Sequence, residues 1–583
     1  MKKKSMTVLF LVSLLVIFIL LPGNALHASL VDDWKSLLEP INPDFTAYMK
    51  SLKQDQKVSG SEFFNQLGYI PPPLKLSHVK GVIDEAVNTT YPAYYDLRTL
   101  GRVSPMKDQG RYFSCWAFAS YASLESCLLP QEIVDFSEWH LNIEHGFDYG
   151  LYEGGNAIVT GAYLLRWSGP VFESIVPYPY SSKLSSVMRD FPVAKHVQQV
   201  ISLPERTGPL DNNTIKYFVT NYGPVDFAMC FWEGANWDNF TYYDPKTQPQ
   251  NHRLAICGWD DNFPASKFNT PPPGNGAFIV KNSWGIGFGE RGYWYISYYE
   301  MSIQELTSYN KTESVENYDY IYQYDMLGRS TTWGERDSFG ANVFTAISAH
   351  PLEAVGFFVN DSNVYYEISV YKNLSPTPTA PIDGVLAAYK SGTLIYPGFF
   401  TIPLDTLVPL QPGEKFSVVV SWHNPAYPRA VSIEMPIPKH NSKSVANPGE
   451  SYISLDGSNW RDLTELFPNS NVCIKAYTQF PRLDVQLSVH RQVYNSWLIS
   501  RVGAIISFSV PDLNKSAASF IKIYRSENGG PYNEIRSIPV SQITNNQYSF
   551  SDRYLDTVLK YAYRVVVYNE TQLVLGKSID III

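Results

Sequence analysis

Cysteine is scarce in this chain, which has five cysteines among 583 residues. A small cross-linked domain would need a much denser set, so a fold that depends on a disulfide framework is excluded. One of the five, Cys115, has distinctive surroundings that are described below. If Cys115 is a free thiol, then Cys127, Cys230, Cys257 and Cys473 are packing residues or form at most two bridges, whose pairing the sequence leaves open.

Charge is also sparse, and its sign is wrong for binding nucleic acid. Charged residues make up 17% of the chain, and the formal net charge is -9. No cluster of Lys and Arg follows the first few residues, so we predict no nucleic-acid partner.

His140 and His145 would face different ways on a helix and have no cysteine pair nearby, which argues against zinc. We expect no metal and no cofactor.

Long apolar runs are missing except at the N-terminus. The basic residues 2–4 precede an apolar run from Val8 to Leu21, and small residues follow at 23–28. This order is typical of a secretory signal peptide, which we assign to residues 1–28. A membrane anchor, the alternative, would need about 20 apolar residues and would have no cleavage site. We therefore predict a secreted, extracellular protein with no stable membrane span after signal cleavage.

The remaining length is too great for one core, because about 150 residues per domain would give three or four units. Helix-like periodicity dominates to about Trp167, and short aromatic strands dominate after Val225. From about Asn317, alternating strands separated by turn residues predict an antiparallel β-sandwich of jelly-roll type over 317–478. Further strands predict a second sandwich over 483–583.

Cys115 stands just before an uninterrupted helix-forming run. Residues 116–129 contain neither Gly nor Pro, and Gln109 lies shortly upstream. The first turn of a helix has unpaired backbone N–H groups and the positive end of the helix dipole, and both favour a thiolate over a thiol. The pattern predicts that Cys115 is a nucleophile. The alternative is a small buried apolar residue, which is the usual state of a lone cysteine.

Two later segments carry the groups that such a nucleophile needs. His252 supplies an imidazole, and Asn282 supplies a side-chain amide that can orient it. Trp284 follows closely enough to shield the hydrogen bond between them from water. The chain order Cys, His, Asn predicts acyl-transfer chemistry, although a lone His is otherwise most often a structural residue.

These segments resemble those of the papain-like cysteine peptidases. The chain distance from Cys115 to His252 falls within the roughly 130–150 residues typical of that family. Further resemblances occur in family order at residues 91–98, 135–138, 153–156 and 289–294. The likeness extends over about 91–310, and it implies a two-lobed α+β peptidase that acts on proteins or peptides.

The resemblance implies a role for each site residue. Cys115, as a thiolate paired with protonated His252, would attack a peptide carbonyl and form a thioacyl-enzyme. Asn282 would orient His252, and Gln109 together with the Cys115 backbone N–H would hold the oxyanion. The residues expected to bind substrate are Gly154, Gly155, Phe113 and Trp284.

The chain departs from the family pattern beside the nucleophile. Tyr112 stands where the family has a cysteine, and Tyr152 stands where its disulfide partner would be, so that bridge is missing as a unit. Phe113 replaces a glycine that admits substrate backbone, so a benzyl group is expected to crowd the S1 subsite.

A catalytically silent adhesion or carbohydrate-binding protein on a peptidase scaffold is one alternative to a peptidase. A transglutaminase-type acyltransferase is another, although its third residue is normally Asp.

The flanking segments resemble accessory regions of such enzymes. Residues 29–90 stand where a propeptide would, although no long inhibitory helix is evident and a spacer is the alternative. Residues 317–478 are similar to the lectin-like domain of some prokaryotic papain-like peptidases, and 483–583 look like a fibronectin type III or immunoglobulin-like domain. These likenesses imply cell-surface glycans as candidate partners. A sandwich that only spaces or stabilises the enzyme is the alternative.

Overall fold

The structure, a computed structural model, contains two compact units. The first comprises residues up to 348 together with 352–478, and the second comprises 349–351 and 479–583. The described residues are 33–51, 67–81, 89–178, 191–231, 234–246, 248–479, 483, 485–495, 500–511, 513, 518–528, 532–556, 559–568, 574–578 and 581–582. The predicted signal peptide lies outside them. No helix among them is long and apolar enough to cross a membrane.

Short helices precede most of the strands in the first unit. The helices are α1 (Pro43–Ser51), α2 (Cys115–Cys127), α3 (Glu138–Glu144), α4 (Ala157–Leu165) and α5 (Asn213–Asn221). Helix α2 is buried along almost its whole length, including Trp116, Tyr121 and Leu124. A helix that is apolar on every face is stable only inside a core, which explains the uninterrupted run that the sequence shows there.

Antiparallel strands form the other half of this region, as the sequence predicts. They are β1 (Tyr94–Asp96), β2 (His196–Ser202), β3 (Val225–Met229), β4 (Ala235–Asn236), β5 (Thr241–Tyr242), β6 (His252–Asp260), β7 (Ala277–Lys281), β8 (Tyr293–Ser297) and β9 (Gln304–Glu313), with a 3-10 turn at Ala265–Lys267. Only β5 and β8 pair in parallel among these strands. Strand β6 is buried along almost its whole length, because β3 and β7 pair with its two edges and helices α2 and α5 pack on it.

The region after residue 317 is the predicted antiparallel sandwich. Its elements are β10 (Tyr320–Tyr322), β11 (Thr331–Trp333), β12 (Asp337–Thr345), β13 (Leu352–Val359), β14 (Val364–Lys372), β15 (Val385–Leu394), β16 (Gly398–Val408), β17 (Lys415–His423), β18 (Val431–Glu434), β19 (Ser451–Ser454), β20 (Arg461–Asp462), α6 (Leu463–Leu466), β21 (Asn471–Val472) and β22 (Ile474–Thr478). One sheet has the order β15-β14-β17-β12-β19-β20. Its Trp422 packs against Phe357 of β13 in the facing layer, with ring centroids 5.9 Å apart.

A single sheet runs through both regions of the first unit. Strand β2 pairs with β9 on one side and with β16 of the sandwich on the other, where Gly398 lies opposite Ile201. A Cβ at Gly398 would lie 2.3 Å from the Val200 carbonyl oxygen, so only glycine allows this approach. The sequence predicts two separate domains here, whereas the pairing joins them into one body.

The second unit is also a β-sandwich, as predicted. Its strands are β23 (Gln486–Asn495), β24 (Ser500–Ser509), β25 (Phe520–Glu527), β26 (Asn533–Pro539), β27 (Gln547–Leu555), β28 (Tyr561–Tyr568), β29 (Val574–Lys577) and β30 (Ile581–Ile582), with a 3-10 turn at Val540–Gln542. They form a three-stranded and a five-stranded antiparallel sheet. Ile506, Ile523 and Tyr563 lie in the core between the sheets.

Candidate active site

Cys115 is the first residue of helix α2, as the sequence predicts. Its side chain is fully buried, and the preceding Ser114 makes no side-chain cap to the helix. The backbone of Arg253 lies close enough to the thiol to act against the rise in its pKa. Since Arg253 directly follows His252, this proximity brings the sulfur next to the predicted base.

His252 and Asn282 meet because their strands are neighbours. His252 begins β6, and Asn282 directly follows β7, which pairs with β6. His252 Nε2 donates to Asn282 Oδ1 at 3.0 Å. The other ring nitrogen, Nδ1, is buried and has no hydrogen-bond partner of good geometry among the described residues. Nδ1 is therefore the nitrogen left to accept a proton.

Trp284 covers the His–Asn pair. Its ring stacks on the imidazole of His252 with centroids 4.8 Å apart and planes 23° apart. Phe231 and Phe288 pack edge-on against the same indole. The contact matches the shielding role that the sequence suggests. A substrate-binding role for Trp284 stays a prediction.

Gln109 is held in one orientation beside the nucleophile. Its side chain is buried, and its Oε1 accepts a hydrogen bond from Ser283 Oγ at 2.6 Å. Its Nε2 donates to the Tyr112 carbonyl at 2.9 Å, which uses one of two amide hydrogens. The second hydrogen is available for an oxyanion.

A buried charge network lies under the site, and the sequence analysis missed it. Arg253 Nε donates to Asp226 Oδ1 at 2.9 Å, and both side chains are fully buried. Arg253 also donates to Glu305 Oε2 at 3.3 Å. Ser120 of α2 donates to the other oxygen of Asp226. The network links the helix that begins at Cys115 to the strand that begins at His252.

Residues 67–70 lie between the backbones of Gly155 and Asn251 and cover the predicted site. Gly155 N–H donates to the Gly68 carbonyl at 3.0 Å, and Ile70 N–H donates to the Gly155 carbonyl at 2.9 Å. The backbone N–H groups of Leu67 and Tyr69 both donate to the carbonyl of Asn251. The backbone of Gly155, one of the predicted substrate-binding residues, is therefore used by a segment of the chain itself.

Two glycines permit this close approach. Gly154 has a φ of +104°, and a Cβ there would lie 2.3 Å from the Gly68 carbonyl oxygen. Gly68 has a φ of +113°, and a Cβ there would lie 2.7 Å from the backbone of Phe113. A chain thus passes directly along the Phe113 backbone. The predicted crowding of the S1 subsite by the Phe113 benzyl group stays a prediction.

Side-chain contacts also hold the N-terminal segment in place. The Tyr69 hydroxyl donates to Glu305 Oε1 at 2.5 Å. Trp34 stacks on Trp333 of β11 at 5.3 Å, and Trp333 Nε1 donates to the Trp34 carbonyl at 2.7 Å. Glu39 pairs with Arg429 at 2.8 Å. The segment is therefore held by both regions of the first unit.

In this covered state burial shifts the pKa values of both predicted catalytic groups toward their neutral forms. Burial raises the pKa of the Cys115 thiol to about 12, although the Arg253 backbone and charge act in the opposite direction. Burial lowers the pKa of His252 to about 4, with Asn282 and the Leu67 backbone opposing it. Burial therefore opposes the thiolate–imidazolium pair, which stays a prediction.

An aromatic pair occupies the place of the missing disulfide. The rings of Tyr112 and Tyr152 stack with centroids 5.4 Å apart and planes 28° apart. Trp139 packs edge-on against Tyr112 at 4.8 Å, and the Arg111 guanidinium lies 5.5 Å from that ring. All five cysteines, which lie in the described part of the chain, are free. The bridges left open by the sequence are not formed in this structure.

Two family models match the chain. The model described as Papain family cysteine protease matches residues 91–311, and the model described as Lectin like domain matches residues 321–478. The chain contains a papain-family cysteine protease domain followed by a lectin-like domain. The site described above lies in the papain-family domain, and β10–β22 belong largely to the lectin-like domain.

Individual relatives agree with this assignment. Viral cathepsin of Heliothis zea nuclear polyhedrosis virus is 28% identical over 216 residues, which are 36% of this chain and 54% of that protein. Ananain of Ananas comosus is 26% identical over 258 residues, which are 43% of this chain and 69% of ananain. The chain thus spans about half to two thirds of the length of these curated relatives.

A solved structure shares both domains. The cysteine protease and lectin-like domains of Cwp84, a surface layer associated protein of Clostridium difficile, superpose with a TM-score of 0.65 at 24% identity. That alignment covers 76% of this chain and 98% of the other. Clostridial Cwp84 after propeptide cleavage gives a TM-score of 0.60 at 26% identity and covers 66% of this chain and 99% of the other.

Proposed function

We propose that this chain is an exported cysteine endopeptidase that cleaves peptide bonds through Cys115, His252 and Asn282 once a covering segment is removed. The arrangement around His252 supports this most directly. Its Nε2 is held by Asn282, its Nδ1 is left for a proton, and the backbone of the residue after it lies close to the Cys115 sulfur. This arrangement agrees with what a thiol nucleophile and its general base require.

The reaction would proceed by acyl transfer. His252 Nδ1 takes the proton from Cys115, and the thiolate attacks the substrate carbonyl carbon. Gln109 and the Cys115 backbone N–H donate to the oxyanion, and one such donor is worth about 10²–10³-fold in rate. The C–N bond then breaks as His252 protonates the leaving amine. Water, deprotonated by His252, hydrolyses the thioester.

Residues 29–90 would act as a propeptide. The segment uses the Gly155 backbone, and a substrate could form the same hydrogen bonds there once the segment leaves. Removal would also return water to Cys115 and His252, whose neutral forms burial favours in the covered chain. The cysteine pKa of papain-type sites is about 3–4, so uncovering is proposed to create the ion pair.

The lectin-like domain would attach the enzyme to a surface. Cwp84 is a surface layer associated protein, and the present chain shares its two-domain arrangement. We therefore propose an extracellular, cell-surface location with glycans as the anchor. The predicted signal peptide at residues 1–28 agrees with export.

A labelling experiment tests the catalytic proposal. Full-length protein and protein cleaved near residue 90 are treated with a thiol-reactive peptide epoxide and then digested for mass spectrometry. We expect fast labelling confined to Cys115 in the cleaved form and slow labelling in the covered form. Cleaved protein should also digest a peptide library under reducing conditions.

Two cysteine variants complete the test. Cys115→Ala should abolish hydrolysis and leave the fold intact, while the matched control Cys127→Ala should retain both. Hydrolysis that survives Cys115→Ala would refute the assignment. A cleaved protein that neither labels nor hydrolyses would instead favour a silent adhesion protein.

A further inference from the structure

A strip of outward-facing side chains crosses four strands of the lectin-like domain. Tyr365 of β14 lies opposite His423 of β17, and His423 lies opposite Asp337 of β12. Two residues further along, Glu367 lies opposite Ser421. Because alternate residues of a strand share a face, these side chains lie together on one side of the sheet. With Tyr389 of the adjacent strand β15, they form what we call the outer strip: Asp337, Tyr365, Glu367, Tyr389, Ser421 and His423.

Two large aromatic rings in the strip face solvent. Tyr389 is 50% exposed and Tyr365 is 41% exposed. Tyr366, which follows Tyr365 in β14, and Trp422, which lies between Ser421 and His423 in β17, point to the other face and are buried in the sandwich core. The core therefore does not need the exposed tyrosines. Together these two rings provide an exposed aromatic surface on which a ligand could pack.

Hydrogen bonds hold the strip in one arrangement. The hydroxyls of Tyr389 and Tyr365 both donate to Oε1 of Glu367, and Ser421 Oγ donates to its Oε2 at 3.2 Å. These donors lower the pKa of Glu367 and keep it ionised. His423 Nδ1 lies 2.8 Å from Asp337 Oδ1. Rings fixed in advance lose little conformational entropy when a ligand binds.

The part of the same sheet face around Val419 and Ser417 is covered, which bounds the strip on one side. Leu374, Val419 and Tyr452 form a small apolar cluster on that face, with Trp460 packed against it. The hydroxyl of Ser417 donates to the Pro381 carbonyl, which ties the covering loop to β17. The strip lies on the open part of the face, which also includes Ser391 and Thr393 of β15, and it ends against the covered part.

We propose that the outer strip is a carbohydrate-binding site for a neutral oligosaccharide. A sugar ring offers an apolar C–H face to an aromatic ring and hydroxyls around its edge, and the strip offers aromatic rings beside carboxylate, hydroxyl and imidazole groups. With strands about 4.8 Å apart, the strip measures about 14 Å from β15 to β12, so it suits a linear chain of several sugars. The inference rests on the glycan attachment proposed above and deepens it.

Charge selects against acidic glycans. Glu367 and Asp337 are carboxylates, and none of the outward positions paired with them in these rows is Lys or Arg. Lys390 of β15 lies opposite Ile368 and so points to the other face. An anionic sugar would meet two carboxylates with no Lys or Arg beside them in these rows, and the imidazole of His423 already lies against both carboxylates.

The experiment uses full-length Cys115→Ala protein on an array of neutral, amino-bearing and acidic oligosaccharides. The strongest neutral binder is then titrated calorimetrically against Tyr389→Ala, Tyr365→Ala and the double variant. We expect at least tenfold weaker binding in each single variant and no measurable binding in the double variant. Tyr320→Ala, which changes a 38% exposed tyrosine of β10 outside the strip, should bind as the parent does.

The outcomes separate the strip from the broader proposal. Neutral-glycan binding that is lost in the strip variants, with unchanged thermal unfolding and partial rescue by Tyr389→Phe, supports the site. Neutral-glycan binding that persists in the double variant places it elsewhere and overturns the strip while the glycan-attachment proposal stands. No binding to any oligosaccharide, or binding to acidic ones alone, overturns the strip, and a complete lack of binding overturns glycan attachment as well.

Discussion

Changing Tyr69 to Phe should open the covered site without altering the mature enzyme. The substitution removes only the hydroxyl that donates to Glu305 Oε1 at 2.5 Å. Tyr69 is buried, and Glu305 keeps Arg253 as a partner through its other oxygen. The change therefore weakens the cover while leaving the charge network under the site in place.

The size of the effect follows from the type of hydrogen bond. A hydrogen bond to a charged group contributes about 1.5–3 kcal/mol, and each 1.4 kcal/mol changes an equilibrium tenfold. A peptide epoxide reaches Cys115 only when residues 67–70 move away, so its labelling rate follows the open population. We expect Tyr69→Phe to label about 10–150 times faster than the parent.

The assay measures labelling of the uncleaved chain by intact mass, which also verifies that the N-terminal segment is still attached. Tyr48→Phe is a matched control, because its hydroxyl makes a long 3.5 Å contact to the Glu153 carbonyl at an exposed place in the same segment. That control should label within about twofold of the parent. After cleavage near residue 90 all three proteins should label alike. An unchanged rate for uncleaved Tyr69→Phe would refute the idea that this hydroxyl holds the cover.

Three further predictions concern the site and its surroundings. Asn282→Ala removes the acceptor of His252, so kcat/KM of the cleaved enzyme should fall about 10–100-fold with little change in KM, and unchanged kinetics would contradict the orienting role. Arg253→Met leaves Asp226 buried and unpaired, which should lower the free energy of urea unfolding by about 3–5 kcal/mol, and a loss below 1 kcal/mol would contradict it. Burial lowers the pKa of His145 and of His440 to about 3, whereas an unfolded His titrates near 6.5. The unfolded chain therefore binds more protons between these values, and stability should fall as pH drops from 6.5 toward 3, with a shallower slope in His440→Gln than in the parent. Equal slopes would show that His440 is protonated as easily in the folded protein.

The sequence predicts which segments carry the site residues, because each segment has a recognisable local pattern. The helix starting at Cys115 follows from an apolar run without Gly or Pro, and the pairing of His252 with Asn282 follows from two neighbouring strands. The helical half and the strand half also follow from periodicity. Which roles these residues perform stays a prediction.

Other features depend on contacts that no local pattern records. Arg253 lies in a strand that is buried along almost its whole length, and its partners Asp226 and Glu305 come from β3 and β9. A buried Arg signals such partners but does not identify them. The pairing of β2 with β16 likewise joins residues almost two hundred positions apart, for which neither strand carries a signal.

The protonation state also could not be read from the sequence. A thiol at a helix start predicts a thiolate, yet burial under residues 67–70 outweighs that effect. Helix dipoles contribute about 0.3–2 kcal/mol, which is small beside complete loss of water from the sulfur.

The stacked pair of Tyr112 and Tyr152 has a consequence for how such a protein can be handled. A thiol enzyme has to be kept reduced, and any disulfide bracing the loop beside its sulfur would be exposed to the same reductant. Here two stacked tyrosine rings support the loop, and glutathione or dithiothreitol cannot reduce such a non-covalent contact. The conditions that preserve the sulfur thus leave its supporting loop untouched.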